Sequence, residues 1–235
     1  MPLFRALVLF LAAAASGLAQ VPARYYVVFL HPGPSSKVPP QAEADRIRTA
    51  HMANVQKMER DGVLMAAGPF EDTPATITGI FVFKVDSMQA AKTLAVQDPL
   101  VVGYRNTVDV HAWQGPEGIG DEYLEMHKAD PGMPENMQPH PLVILSRGPA
   151  WGENPRVRAQ LLADHARYVD RLREQEKLGA AGPFQTPDDL FGLVIFKVIP
   201  LEEAESALHD DPAVRAGVLK AEFHMWGVSD HVLPW

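Results

Sequence analysis

The chain has 235 residues, 47% of them hydrophobic, no cysteine and a net charge of −8. This is enough chain for two domains with cores of their own, and it excludes disulfide support and thiolate metal sites. Residues 24–113 carry 9 basic and 9 acidic side chains, residues 140–229 carry 10 and 13, and residues 114–139 carry one Lys and six acids. The acidity therefore sits mostly in a connector, and no basic stripe is present to neutralise phosphates, so nucleic acid is not an expected partner.

The first 19 residues read as a signal peptide. Arg5 supplies the positive start, Ala6 to Ala15 is apolar, and Gly17-Leu18-Ala19 offers the small residues a signal peptidase needs. The apolar run is shorter than the roughly 20 residues of a membrane span. The expectation is a periplasmic or secreted protein with no membrane span after cleavage.

Tyr25-Tyr26-Val27-Val28-Phe29-Leu30 is aromatic and β-branched, which predicts a strand. His31-Pro32-Gly33-Pro34 ends it. Residues 42–60 have helical periodicity, with Ile47, His51, Val55 and Met58 on one stripe. A short strand from Val63 to Ala67 closes at Gly68-Pro69, and another runs from Ile80 to Val85. Ser87 to Gln97 reads as a helix stopped by Asp98-Pro99, because a residue before proline avoids the α region. Tyr104 to Trp113 reads as a strand. Residues 114–140, rich in Pro, Gly, Met and acid, read as a linker or wrapping arm. The order then recurs: Leu142–Ser146, a helix near 155–177, Ala180–Gly182, Leu193–Val198, a helix near 201–209 and Leu219–Trp226.

The recurrence extends to individual residues. His51 precedes Gly68-Pro69-Phe70 by 17 positions, as His165 precedes Gly182-Pro183-Phe184. Asp98-Pro99 matches Asp211-Pro212, and His111-Ala112-Trp113 matches His224-Met225-Trp226. The offset is 114 up to Gly-Pro-Phe and 113 after it, the mark of a duplicated domain. Each copy, residues 24–113 and 141–229, is a βαββαβ unit, so the fold class is α+β, ferredoxin-like. Such a unit leaves one sheet face uncovered. Two copies can cover each other, sheet against sheet, as an intramolecular barrel-like pseudo-dimer. Further dimerisation is left open.

Three groups of residues can carry chemistry. His51 and His165 lie on the apolar stripe of the first helix in each copy, and an imidazole there is either a half-buried structural group or a general acid/base. Asp98 and Asp211 either serve turn chemistry or orient the His of their own copy. The last strand of each copy forms the third group. Alternation puts Asp109, His111 and Trp113 on one face in the first copy, and Glu222, His224 and Trp226 on one face in the second. These six are expected on the uncovered faces, as a ligand cleft or as a polar contact between copies. A weak metal reading rests on Met126, His127, Met133, Met137 and His140 of the connector, a mixture that favours copper. No Gly-rich phosphate loop, G-x-S-x-G elbow or H-E-x-x-H is present, and no cofactor is expected.

The helix His, the Ala67-Gly68-Pro69 and Ala181-Gly182-Pro183 segments, and the two Asp-Pro steps together resemble the YCII-related family of small ferredoxin-like domains. The resemblance covers about 180 of the 235 residues. It implies a fold similar to the muconolactone isomerase and dehydrochlorinase group, and dimeric α+β barrels. It also implies a His–Asp active pair, which falls here on His51 with Asp98 and on His165 with Asp211. The expected activity is acid/base isomerisation or elimination on a small cyclic or aromatic substrate. The alternative is a non-catalytic small-molecule or metal-binding module. The chain departs from the family pattern in its leader, its tandem arrangement and the His-x-Trp that ends each copy.

Overall fold

The computed structural model describes residues 24–33, 39–71, 76–185 and 188–235. The signal-peptide reading falls outside them. The first copy consists of β1 (Tyr25–His31), α1 (Gln41–Arg60), β2 (Leu64–Pro69), β3 (Gly79–Phe83), α2 (Met88–Val96), α3 (Pro99–Tyr104) and β4 (Thr107–Trp113). The connector forms α4 (Asp121–Ala129). The second copy consists of β5 (Met137–Arg147), α5 (Pro155–Glu174), β6 (Leu178–Pro183), β7 (Leu190–Phe196), α6 (Leu201–His209), α7 (Pro212–Arg215) and β8 (Leu219–Ser229).

Each copy folds as an antiparallel four-stranded sheet, in the order β2-β3-β1-β4 and β6-β7-β5-β8. Two short helices, α3 and α7, were not expected. The Asp-Pro step that ends one helix starts the next. The Asp98 carboxylate accepts the Leu100 N–H at 2.9 Å, and Asp211 accepts those of Ala213 and Val214 at 2.8 and 3.2 Å. Pro99 and Pro212 occupy first-turn positions, where a missing N–H leaves no bond unmade. The connector is more ordered in pattern than its composition implies. Ile119 and Tyr123 are buried, and Gly120 N–H donates to Val232 O at 2.8 Å, which ties α4 to the end of the second copy.

The two sheets meet face to face. Their shared core joins Tyr25, Val27, Phe29, Val82 and Trp113 of the first copy to Leu142, Ile144, Ile195, Trp226 and Val228 of the second. Separate cores lie under the helices, around Phe81 and Phe83 in one copy and Val194 and Phe196 in the other. Edge contacts close the barrel: Phe70 bridges to Trp226, and Trp113 to Phe184. The glycine of each Ala-Gly-Pro segment sits at these seams. A Cβ on Gly68 would run into the Gly227 carbonyl oxygen, and one on Gly182 into that of Gln114. Such overlap excludes a side chain, so each copy needs glycine where the other's backbone crosses it.

Candidate functional site

His51 is held near the middle of α1, and Asp98 caps α3 beneath it. His51 Nδ1 lies 2.8 Å from Asp98 Oδ1. Asn54, one turn along the same helix, donates to Asp98 Oδ2 at 2.8 Å. The Asp98 side chain is fully buried. Burial opposes its ionisation, but the hydrogen bonds from His51 and Asn54 outweigh that and hold the carboxyl below its ordinary range. An ionised Asp98 accepts, so His51 Nδ1 donates, and in the neutral ring the lone pair is on Nε2.

His51 lines a cavity of about 510 Å³. Its walls are mainly apolar, from Leu30, Val55, Ile80, Phe81 and Leu100. Arg48 and Tyr104 stand in the lining near the His, and Glu59 lies two turns further along α1. Glu135, Met137 and Ser229 also line it, so the connector and the end of β8 complete a cavity that otherwise belongs to the first copy. Glu59 is unusual. Burial and then the neighbouring Glu135 carboxylate push it up to about 7, and the Tyr123 hydroxyl, which donates to it, opposes this only in part. Sequence reasoning missed Glu59, Asn54 and Tyr104. For Glu59 a signal existed: it continues the His51–Val55 stripe at spacing four, where the second copy has Arg173.

The second copy repeats the pair. His165 Nδ1 lies 2.6 Å from Asp211 Oδ2. The surroundings differ. Phe191, at the position of Thr78, packs its ring 5.6 Å from the His165 ring and 6.2 Å from Trp151. Arg147 and Arg158 lie over the Trp151 ring at 5.1 and 5.0 Å. At the position of Asn54, Tyr168 turns away and donates to Ala207 O at 2.8 Å. His165 and Asp211 line none of the three main cavities among the described residues.

Of the six last-strand residues, His111, Trp113, His224 and Trp226 are buried, whereas Asp109 and Glu222 are exposed. Trp113 is fully buried and its Nε1–H donates to Gly182 O at 2.9 Å. His111 lies 2.9 Å from both Asp109 and Asp188. His224 stacks on Phe70 at 4.6 Å and sits 3.4 Å from Glu222. Trp226 is fully buried in the shared core. None of the six lines the cavity at His51. Of the connector residues, Met137 lines that cavity and its Sδ accepts from the Ser229 hydroxyl at 3.4 Å, His140 Nδ1 donates to Phe196 O at 2.8 Å, and Met126, His127 and Met133 line a second cavity.

The model of the YCII-related domain matches residues 25–114 and again residues 138–222, so the chain belongs to that family, with two copies in tandem. No curated protein matches it. Among solved structures it is similar to two variants of chlorite dismutase from Candidatus Nitrospira defluvii. One is 12% identical with a TM-score of 0.55, covering 90% of this chain and 94% of the other. The second is 11% identical with a TM-score of 0.54, covering 89% and 92%. A heme-binding protein from Thermus thermophilus is similar at 11% identity and a TM-score of 0.54, over 89% and 92%. At these identities the likeness is one of fold, two ferredoxin-like units closed into an α+β barrel. No helix among the described residues is long and apolar enough to cross a membrane.

Proposed function

We propose that the chain is an acid/base enzyme of the isomerase or lyase kind, with its site in the first copy. The observation that carries this is one imidazole, fixed by a buried ionised carboxylate, lining an apolar cavity of about 510 Å³. That volume suits a small cyclic or aromatic substrate. Asp98 sets the tautomer, so His51 Nε2 is the base. It removes a proton from carbon next to a carbonyl, and the electron pair moves into the carbonyl as an enolate. The imidazolium then returns the proton at a conjugated carbon, which is isomerisation. Alternatively the electron pair expels a leaving group from the neighbouring carbon, which is elimination. A positioned base of this kind contributes about 10²–10⁴-fold.

Heme, which the Thermus protein binds, does not fit this cavity. Heme needs an axial ligand, which His51 can supply, and partners for two propionates. The lining has one guanidinium, Arg48, against two carboxylates, Glu59 and Glu135. One guanidinium, set against the Glu135 carboxylate, leaves the two propionates without a cationic partner each, so no step is routed through heme.

A second reading is favoured by one observation. The same His–Asp pair exists in the second copy and lines none of the three main cavities among the described residues. The pair by itself therefore serves as a brace between a long helix and the short one capped by Asp. In that reading the chain is a binding module. A thermal-shift screen with small lactones, phenols and hydroxy acids, followed by turnover of each hit, separates the two. The enzyme reading expects a hit that is consumed by the parent chain and not by His51→Ala. A hit that binds both forms and is never consumed overturns it.

Export is part of the proposal, resting on Arg5, the apolar run and Gly17-Leu18-Ala19. N-terminal sequencing of the protein from its native envelope fraction checks it. A mature chain beginning at Gln20 is the expected result.

A further inference from the structure

A second cavity, of about 180 Å³, lies where α4 meets the end of β8. Met126 and His127 of α4 line it, with Met133 from the following turn and His231 from the turn after β8. That first turn is closed by Met133 N–H donating to Asp130 O at 3.1 Å. His127 Nε2 is buried and has no hydrogen-bond partner among the described residues. An imidazole nitrogen shut away from water without a partner is costly. Its ring is fixed against Tyr123, at 4.3 Å. His231 is bonded through Nδ1 to Glu122 at 2.9 Å, the arrangement in which a carboxylate orients a ligating imidazole and leaves Nε2 as donor. His231 also has a φ of 65°, a left-handed conformation that a residue other than glycine adopts at some cost.

Imidazoles and carboxylates alone give no group of three able to hold a metal among the described residues. Two methionines share the cavity's lining with the imidazoles and bring thioethers to it. Thioethers select soft ions, and imidazole suits copper in either oxidation state. We propose that this cavity binds Cu(I) through His127, Met126 and Met133, with His231 as a fourth donor. The half-exposed His231 side chain is the donor nearest to solvent and the first to meet an incoming ion. The site is independent of the His51 pair, although Glu135 and Ser229 line both cavities.

The test is a competition between the full chain and bicinchoninate for Cu(I), without oxygen and with ascorbate present. The expected result is one equivalent of copper withdrawn from the chelator. The double variant Met126→Leu/Met133→Leu removes both thioethers at nearly constant volume, so the fold is kept. It and His127→Ala each weaken binding by about ten-fold or more, since even the outer partners of a metal carry that much. His51→Ala retains the site. Three results overturn the proposal: no copper withdrawn, equal binding by the double Met variant, or loss of binding in His51→Ala. Circular dichroism of each variant separates lost donors from lost fold.

Discussion

The two copies hold the same His–Asp pair and differ in what stands in front of it. In the first copy Thr78, Leu100 and Tyr104 leave a cavity beside His51. In the second, Phe191 and Trp151 occupy the matching ground beside His165. The His51 side chain is 16% exposed and that of His165 9%. The difference teaches that a dyad is not a site. A carboxylate that orients an imidazole is useful to a helix junction as well as to a reaction, and only a space for a substrate tells the uses apart.

The largest expected effects come from removing each imidazole in turn. His51→Ala lowers turnover of any identified substrate by about 10²–10⁴-fold. His165→Ala leaves turnover unchanged and takes one of three hydrogen bonds from the fully buried Asp211. Losing a hydrogen bond to a buried polar group costs about 1–3 kcal/mol, read as a lower urea midpoint. Equal loss of turnover in both variants would break the comparison and restore two working sites.

Exchanging the plug tests the same difference from the side of shape. Thr78→Phe gives the first copy the second copy's residue. It abolishes the ligand-induced rise in melting temperature and costs about 1–3 kcal/mol from overpacking. Phe191→Thr does the reverse. It removes ring contacts with His165 and Trp151, costs about 2–4 kcal/mol, and opens space beside His165. Ligand binding unaffected by Thr78→Phe would place the site elsewhere.

Much of this was legible before the structure. His51, Asp98, His165 and Asp211 stand out because the chain repeats them at a fixed offset, and the alternation in β4 and β8 put His111, Trp113, His224 and Trp226 on the inner faces. Which of the two expected outcomes would hold, a ligand cleft or a contact between copies, was not legible. Alternation gives the direction of a side chain but not the distance between sheets, and the inner faces close over Trp113 and Trp226. The short helices α3 and α7 were hidden because Asp-Pro signals a stop and a start with the same two residues. Glu59 stood on the His51–Val55 stripe, but a carboxylate on a helix is ordinarily solvated, so spacing alone did not single it out. Its burial depends on Glu135 and Tyr123 of the connector, more than 60 residues away in sequence.

A smaller effect concerns acid. The Asp98 carboxyl is held below its ordinary range, so it contributes stability above its unfolded pKa of about 3.9 and loses it as pH falls through the lower folded value. Asp98→Asn removes that acid limb. The variant unfolds earlier than the parent at pH 7, and the two converge as pH falls through the lower folded value. Urea midpoints at a series of pH values check this. A constant gap down to the lowest pH would show that Asp98 acts through its shape and not its charge.

The smallest effect is at Glu59, and it has the opposite sign. Its folded pKa is raised to about 7, so the native state holds a proton that the unfolded chain releases near 4.5. Stability therefore falls as pH rises between those values, and the full penalty persists above 7. Glu59→Gln removes the penalty. At pH 8 the variant is more stable than the parent, read as a higher melting temperature, and at pH 4 the two are equal. The second copy has Arg173 at this position, so Arg173→Gln produces no such pH-dependent gain. If Glu59→Gln instead weakens the fold at every pH, the carboxyl is a plain hydrogen-bond acceptor for Tyr123, and the cavity's far wall is set by that bond.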